Sequence, residues 1–305
     1  MALPDIISVE DFFSSPVRAG ASISPDGTKI AYLAPWKDRL NVWVQSVDAN
    51  DAPRRVTADD NRSVFIYRWS EDPRWLLYAQ DGDGDENWHI YRVDLGNPDA
   101  PAVDLTPFPG AKAMFELPGG LPGKAIVHLN QTKIELFDLY EIDIATGELT
   151  LLAENPGHVA SWLCSRNGDL LATALTPDGD VELSRWDKDT GMPHTFVVFD
   201  GTEYPMSVYP MVITPDGTGV WIGSNRDTDR TRLVRLDLST GDENRGGQPR
   251  DVRPRHALRW RVAAHPQSAD RGIDRGAVSR RAPGDPPAGL AFRHRAGETG
   301  DTVQR

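Results

Sequence analysis

One turn-and-strand unit is written five times along this chain, and that repetition limits the fold more than any other feature. Its clearest copy is Ser24-Pro25-Asp26-Gly27-Thr28-Lys29, followed by the apolar run Ile30 to Ala34. Pro presets φ, Asp bonds the backbone locally, and Gly accepts a positive φ, so the segment turns the chain into a strand. Further copies begin at Ser70, Gly123, Ser165 and Thr214. Tyr32 to Tyr78 spans 46 residues and Gly168 to Gly217 spans 49. A fixed period of that length indicates a repeat architecture.

A second strand follows each first one: Val42 to Asp48, Trp88 to Asp94, Leu139 to Asp143, Leu183 to Asp187 and Leu233 to Asp237. The closing aspartates Asp48, Asp94, Asp143, Asp187 and Asp237 are taken as equivalent. Three of these runs enter a Thr-Gly turn, at Thr146-Gly147, Thr190-Gly191 and Thr240-Gly241. Weaker strands are predicted on either side, including Val64 to Trp69 and Ala102 to Thr106. Four strands in 44 to 50 residues is the size of one β-propeller blade. The fold class expected is therefore all-β: about five four-stranded blades, an incomplete propeller, with a disordered Arg-rich tail. Ile30 to Ala34 and its equivalents are expected to be the most apolar strands, lining the axis side of each blade.

The predicted domains are a lead-in over 1–19, a partial propeller over 20–243 and a tail over 244–305. Blades are expected at about 20–60, 63–108, 113–155, Val159 to Phe199, and from Val208 onward. No fourth strand is visible after Asp237, so the fifth blade is expected to be cut short.

Charge divides the chain at the same place. Residues 1–243 carry 20 Lys and Arg against 39 Asp and Glu, whereas 244–305 carry 13 Arg, no Lys and 6 acids. So acidic a body is a poor surface for sequence-independent nucleic-acid binding, and no nucleic-acid partner is expected. The tail's low hydrophobicity and its Arg, Gly and Pro content predict disorder. Its abrupt composition, drawn from residues whose codons can be wholly G and C, is read as translation in the wrong frame of a GC-rich gene. No secretory leader or membrane-spanning run is apparent, and a single cysteine suits a reducing compartment, so a cytoplasmic location is expected. Open blade edges are expected to favour self-association.

Candidate chemistry is sparse. Asp81, Asp83 and Asp85 alternate as in a calcium loop, but Glu86 and Arg92 stand where that loop requires Gly and a bidentate Glu. A solvated turn is the expectation. His89 and His128 fall on predicted strands, His158 and His194 in connections, and His256, His265 and His294 in the tail; none is paired at metal-ligand spacing. Cys164, in a predicted strand, is expected to be buried and structural. The tryptophans, among them Trp69, Trp75, Trp162 and Trp186, are expected to pack between neighbouring blades. No Gly-x-Ser-x-Gly elbow is present, and Ser268 and Ser279 lack its flanking residues. No catalytic, cofactor-binding or metal-binding residue is assigned, and no cofactor is expected.

Several segments resemble the amino-terminal propeller of the prolyl oligopeptidase family of serine peptidases, in its acylaminoacyl-peptidase and dipeptidyl-aminopeptidase branches. They are Val9 to Phe13 with Ile23 to Tyr32, Asp85 to Asp94, and Ser224 to Asp227 with Leu233 to Asp237. The resemblance covers about 8–243. It implies a seven- or eight-bladed propeller capping an α/β-hydrolase domain, peptide substrates, and a Ser-Asp-His triad located after the propeller. No position of this sequence matches that triad's motif, so the expected role is substrate gating without catalytic activity in the chain itself. Two other roles stay open. One is a stand-alone propeller that recruits a protein partner; the other is a nucleic-acid binder acting through the arginine tail.

Overall fold

The computed structural model describes residues 16–48, 51–97, 99–201, 208–226 and 228–244, together with 6, 8, 9, 13 and 14. The expected lead-in lies mostly outside the described residues, and the tail beyond Asn244 lies wholly outside them.

The described chain forms five antiparallel four-stranded sheets, each a consecutive meander. Sheet one comprises β1 (Ala19–Ile23), β2 (Lys29–Trp36), β3 (Arg39–Ser46) and β4 (Arg54–Arg55). Sheet two comprises β5 (Ile66–Trp69), β6 (Trp75–Gln80), β7 (His89–Asp94) and β8 (Val103–Asp104). Sheet three holds β9 (Ala113–Glu116), β10 (Lys124–Lys133), β11 (Leu136–Asp143) and β12 (Leu149–Ala153). Sheet four holds β13 (Val159–Cys164), β14 (Leu170–Leu175), β15 (Val181–Asp187) and β16 (Met192–Phe199). Sheet five holds β17 (Val208–Ile213), β18 (Gly219–Ser224), β19 (Arg232–Asp237) and β20 (Glu243–Asn244). The five repeats and their expected bounds are thus observed.

Three expectations require correction. Blade five does have a fourth strand: β20 pairs with β19, Arg235 opposite Asn244 and Leu236 opposite Glu243. At two residues it is as short as β4 and β8, too short to leave an alternating pattern in sequence. Second, Ile30 to Ala34 lies on β2, which is bonded to strands on both sides. These second strands are the most buried because they are central in their sheets, not because they form an axis-side edge. Third, Asp48 is out of register with the other closing aspartates. Trp75 faces Asp94 and Lys124 faces Asp143, whereas Lys29 faces Ser46.

The register explains why an aspartate closes these strands. Asp94 accepts the Gly96 amide at 2.8 Å, Asp143 the Thr146 amide at 2.8 Å, and Asp237 the Ser239 amide at 2.8 Å. Each carboxylate satisfies backbone donors that the turn into the last strand leaves unpaired. The Thr-Gly turns behave as expected, Gly147, Gly191 and Gly241 all having positive φ.

Alternation along each strand decides which sheet a side chain meets. Ile90 points with Trp75 and Leu77 into the cluster shared with Val127 and Ile142 of sheet three. Val93, three residues on from Ile90, packs with Leu76 and Tyr78 against Val42 and Val44 of sheet one. Leu139 faces Val159, Trp162 and Trp186 of sheet four. Leu183 faces Val220, Ile222 and Leu236 of sheet five. Each successive pair of sheets therefore shares one apolar cluster, and sheets two, three and four are covered on both faces.

Polar ties cross the same interfaces. The Tyr67 hydroxyl on β5 donates to the carbonyls of Gly20 and Ala31 in sheet one and accepts from Ser22 Oγ at 3.0 Å. Arg92 on β7 donates to the Ile144 carbonyl at 2.6 Å and to that of Ala145. Arg185 on β15 repeats the device, donating to the Leu238 carbonyl at 2.8 Å. Each arginine stands two residues before its own closing aspartate, and each acceptor lies just after the closing aspartate of the next sheet. Trp162 spans sheets four and three through Nε1 to the Phe137 carbonyl at 2.8 Å. The tryptophan expectation holds for Trp69, Trp75, Trp162 and Trp186.

The turns that open β2 and β18 are near copies. Asp26 accepts from the Ser24 hydroxyl and the Thr28 amide, and Asp216 accepts from the Thr214 hydroxyl and the Thr218 amide. These bonds, the hydroxyl first, hold both carboxyls down to about 2. Asp94 is likewise held at about 2, chiefly by the Arg74 guanidinium and then by the Gly96 amide. Carboxyls depressed in the folded state contribute stability above their ordinary unfolded value, and that stability fades as pH falls through the folded value. We therefore expect the urea midpoint to drop as pH is lowered from about 4 towards about 2. Asp26→Asn and Asp216→Asn should flatten that decline. A midpoint insensitive to acid over this window, or an unchanged slope in both variants, would contradict the assignment.

Candidate functional site

Of the histidines singled out in the sequence, His158 is exposed in the connection between β12 and β13, as expected, and three others pair within their own sheets. His89 on β7 bonds through Nδ1 to Asp104 Oδ2 on β8 at 2.7 Å. His128 on β10, buried, lies 3.3 Å from Glu116 on β9. His194 lies 3.5 Å from Asp187. Its expected position in a connection is corrected: β16 begins directly after Gly191, so His194 is a strand residue. All three pairs join adjacent strands of one sheet, which is the ordinary work of a cross-strand polar pair.

The serines on the repeats are likewise engaged in turns. Ser24 Oγ accepts the Lys29 amide, Ser165 Oγ accepts the Asp169 amide, and Ser224 Oγ bonds to Glu243. Cys164, at the end of β13, is partly buried, and burial pushes its thiol up to about 12. A thiol so disfavoured as thiolate is a weak nucleophile, consistent with the structural role expected of it.

The acidic hairpin is less solvated than its composition suggests. Asp81 is buried and accepts from Arg62 Nε at 3.2 Å and from the Glu86 amide at 3.3 Å. Burial of a carboxylate requires such a partner, so the expectation of a solvated turn holds only for its tip. There Asn61 donates to Asp83 and the Asn87 amide to Asp85. The chain reaches this arrangement with positive φ at Asp83, Gly84 and Glu86. Among the described residues no group of three or more His, Cys, Asp or Glu side chains is arranged to hold a metal ion.

A cleft of about 380 Å³ lies between sheets one and two, lined by Lys29, Gln45, Ser46, Arg54, Val56 and Leu95. Its size falls in the range of small-ligand sites. Its walls present charged, hydroxyl and apolar groups. Among the described residues no helix is long and apolar enough to cross a membrane.

With this geometry in place, the similarities to known proteins become informative. The chain is 31% identical over 245 residues to dipeptidyl aminopeptidase BIII of Pseudoxanthomonas mexicana. That match covers 78% of this chain and 34% of the relative. The five-sheet unit fits an amino-terminal propeller of the prolyl oligopeptidase family. Dipeptidyl peptidase family member 6 of Caenorhabditis elegans is 26% identical over 182 residues, 58% of this chain and 25% of its own length. The chain thus spans about a third or less of the curated relatives it matches. A solved prolyl endopeptidase shares the fold, with a TM-score of 0.51 at 15% identity, over 72% of this chain and 32% of its own. No family model matches.

For a propeller of the prolyl oligopeptidase family, the residues that matter most here are those locking one blade to the next. Sequence reasoning did not single out Arg92, Arg185 or Tyr67. The signal was present for the arginines, since Arg92, Arg185 and Arg235 all stand two residues before a closing aspartate. Nothing in sequence marks the partner, because the acceptors are main-chain carbonyls.

Proposed function

We propose that this chain is the substrate-gating propeller of a prolyl-oligopeptidase-like serine peptidase and performs no peptide hydrolysis of its own. The observation that carries the reading is the 31% identity to dipeptidyl aminopeptidase BIII over 245 residues, 78% of this chain. Acyl transfer needs a nucleophile beside a base and an oxyanion hole. The histidines of the described sheets instead satisfy cross-strand carboxylates, and the serines noted above serve turns. A wall of blades interlocked by apolar clusters and arginine ties is suited to excluding folded proteins while admitting peptides. Peptides are accordingly the proposed ligand class.

One observation favours a second reading. Strand β20 completes the fourth position of sheet five, as a self-contained propeller that recruits a protein partner requires. The similarity to peptidases weighs for the first.

Residues 245–305 are proposed to be an out-of-frame extension, on the strength of thirteen arginines and no lysine. The coding DNA downstream of Glu243, read in the other two frames, should restore blade-like repeats and a Gly-x-Ser-x-Gly elbow. If neither frame stays open, the extension is a genuine basic arm.

Assay of the purified chain on aminoacyl and acylpeptide chromogenic substrates should show no turnover above buffer. Hydrolysis that a fluorophosphonate abolishes, with a residue of this chain labelled, would overturn the proposal.

A further inference from the structure

Sheet five repeats on its far side the features that its predecessors use to hold the next blade. Leu233 stands four residues before Asp237, as Ile90, Leu139 and Leu183 stand before Asp94, Asp143 and Asp187. Those three are fully buried against the following sheet, whereas Leu233 is 44% exposed. Val212, on the same face opposite Trp221, is also exposed. Arg235 occupies the position of Arg92 and Arg185. Among the described residues no following turn meets it, and it folds back on its own sheet, donating to Thr218 Oγ1 and lying 3.6 Å from Asp237.

Sheet one presents the reciprocal half. Its Ala31, Leu33, Val42 and Val44 face sheet two, leaving Ile30, Tyr32 and Trp43 on the opposite face by strand alternation, where Tyr32 is buried with the Arg18 guanidinium 5.0 Å from its ring. The Val47 amide bonds to the Thr28 carbonyl as the Ile144 amide bonds to that of Gly123 and the Leu238 amide to that of Thr218. Val47 and Asp48 therefore stand where Ile144 and Ala145 stand in sheet three. Val47 is 41% exposed and Ile23, on β1 opposite Ile30, is 47% exposed.

We infer that the open face of sheet five docks on the open face of sheet one in a second copy of this chain, with Arg235 donating to the carbonyls of Val47 and Asp48. The occupant follows from the repeat. A face built like those of sheets two and four is complementary to a face that opens a sheet, and this chain carries one of each. Such a contact is heterologous, joining two different surfaces, so a dimer retains one free face of each kind and can add further copies. It differs from pairing through strand edges, because it buries side chains rather than extending a ladder.

Sedimentation velocity of the full chain over a range of concentrations tests this. Reversible association is expected, weakened about tenfold or more by Leu233→Asp and by Arg235→Glu, each of which alters a central contact. Circular dichroism confirms that the variants retain their β structure. As a second readout, Arg235→Cys and Val47→Cys chains are mixed and treated with a bis-maleimide about as long as an arginine side chain; the cross-link should join one chain of each kind in preference to two alike. A chain that stays monomeric throughout overturns the inference. So does association that both substitutions leave unchanged and that only removal of residues 245–305 abolishes.

Discussion

The structure rests on the burial of sheet faces against neighbouring sheets. A single four-stranded meander with two apolar faces has no interior of its own, and every described cluster draws its residues from two successive sheets. A fully buried leucine or isoleucine contributes about 1.5–3 kcal/mol relative to leaving it exposed. An exposed ion pair such as Lys37–Asp60, 58% exposed on both sides, contributes far less, because water screens it. The apolar interfaces therefore dominate, and the turns and carboxylates serve to present strands in the register those interfaces need. The arginine and tyrosine ties add direction: each satisfies main-chain carbonyls at an interface, fixing how far one sheet slides over the next.

The legibility of this fold in sequence follows from the same physics. In sheets two, three and four the second and third strands are covered on both faces, so they must be continuous apolar or alternating runs, and the turns between strands need glycine or aspartate. Both signals survive in a single sequence. The short fourth strands β4, β8 and β20 carry no such requirement, since two residues at a sheet edge need only a ladder bond. That is why β20 was invisible and blade five looked truncated. The misplaced register of Asp48 has a similar cause. An aspartate two residues past Ser46 matches the repeat by type, and only the pairing of Lys29 reveals the offset. Arg92 and Arg185 were readable as a pattern but not as ties, because main-chain acceptors leave no mark on residue identity.

For function, the distribution of polar groups is as informative as the fold. The three histidine–carboxylate pairs of the described sheets are arranged across strands of one blade, where they support a ladder. The groups that reach between blades include arginines, a tyrosine and tryptophans directed at carbonyls. These blades keep their histidine–carboxylate pairs within one sheet and meet one another through apolar clusters and main-chain carbonyls.

Leu183 and Leu233 occupy the same position in successive repeats, yet among the described residues only Leu183 faces a neighbouring sheet, being 0% exposed against 44%. Urea denaturation of Leu183→Ala and Leu233→Ala, at concentrations where the chain is monomeric, compares them directly. If interfaces between sheets carry the stability, Leu183→Ala should cost about 2–5 kcal/mol, whereas Leu233→Ala should stay within about 0.5 kcal/mol of the parent. Equal losses at the two positions would show that each sheet is stabilised from within, and would contradict the account.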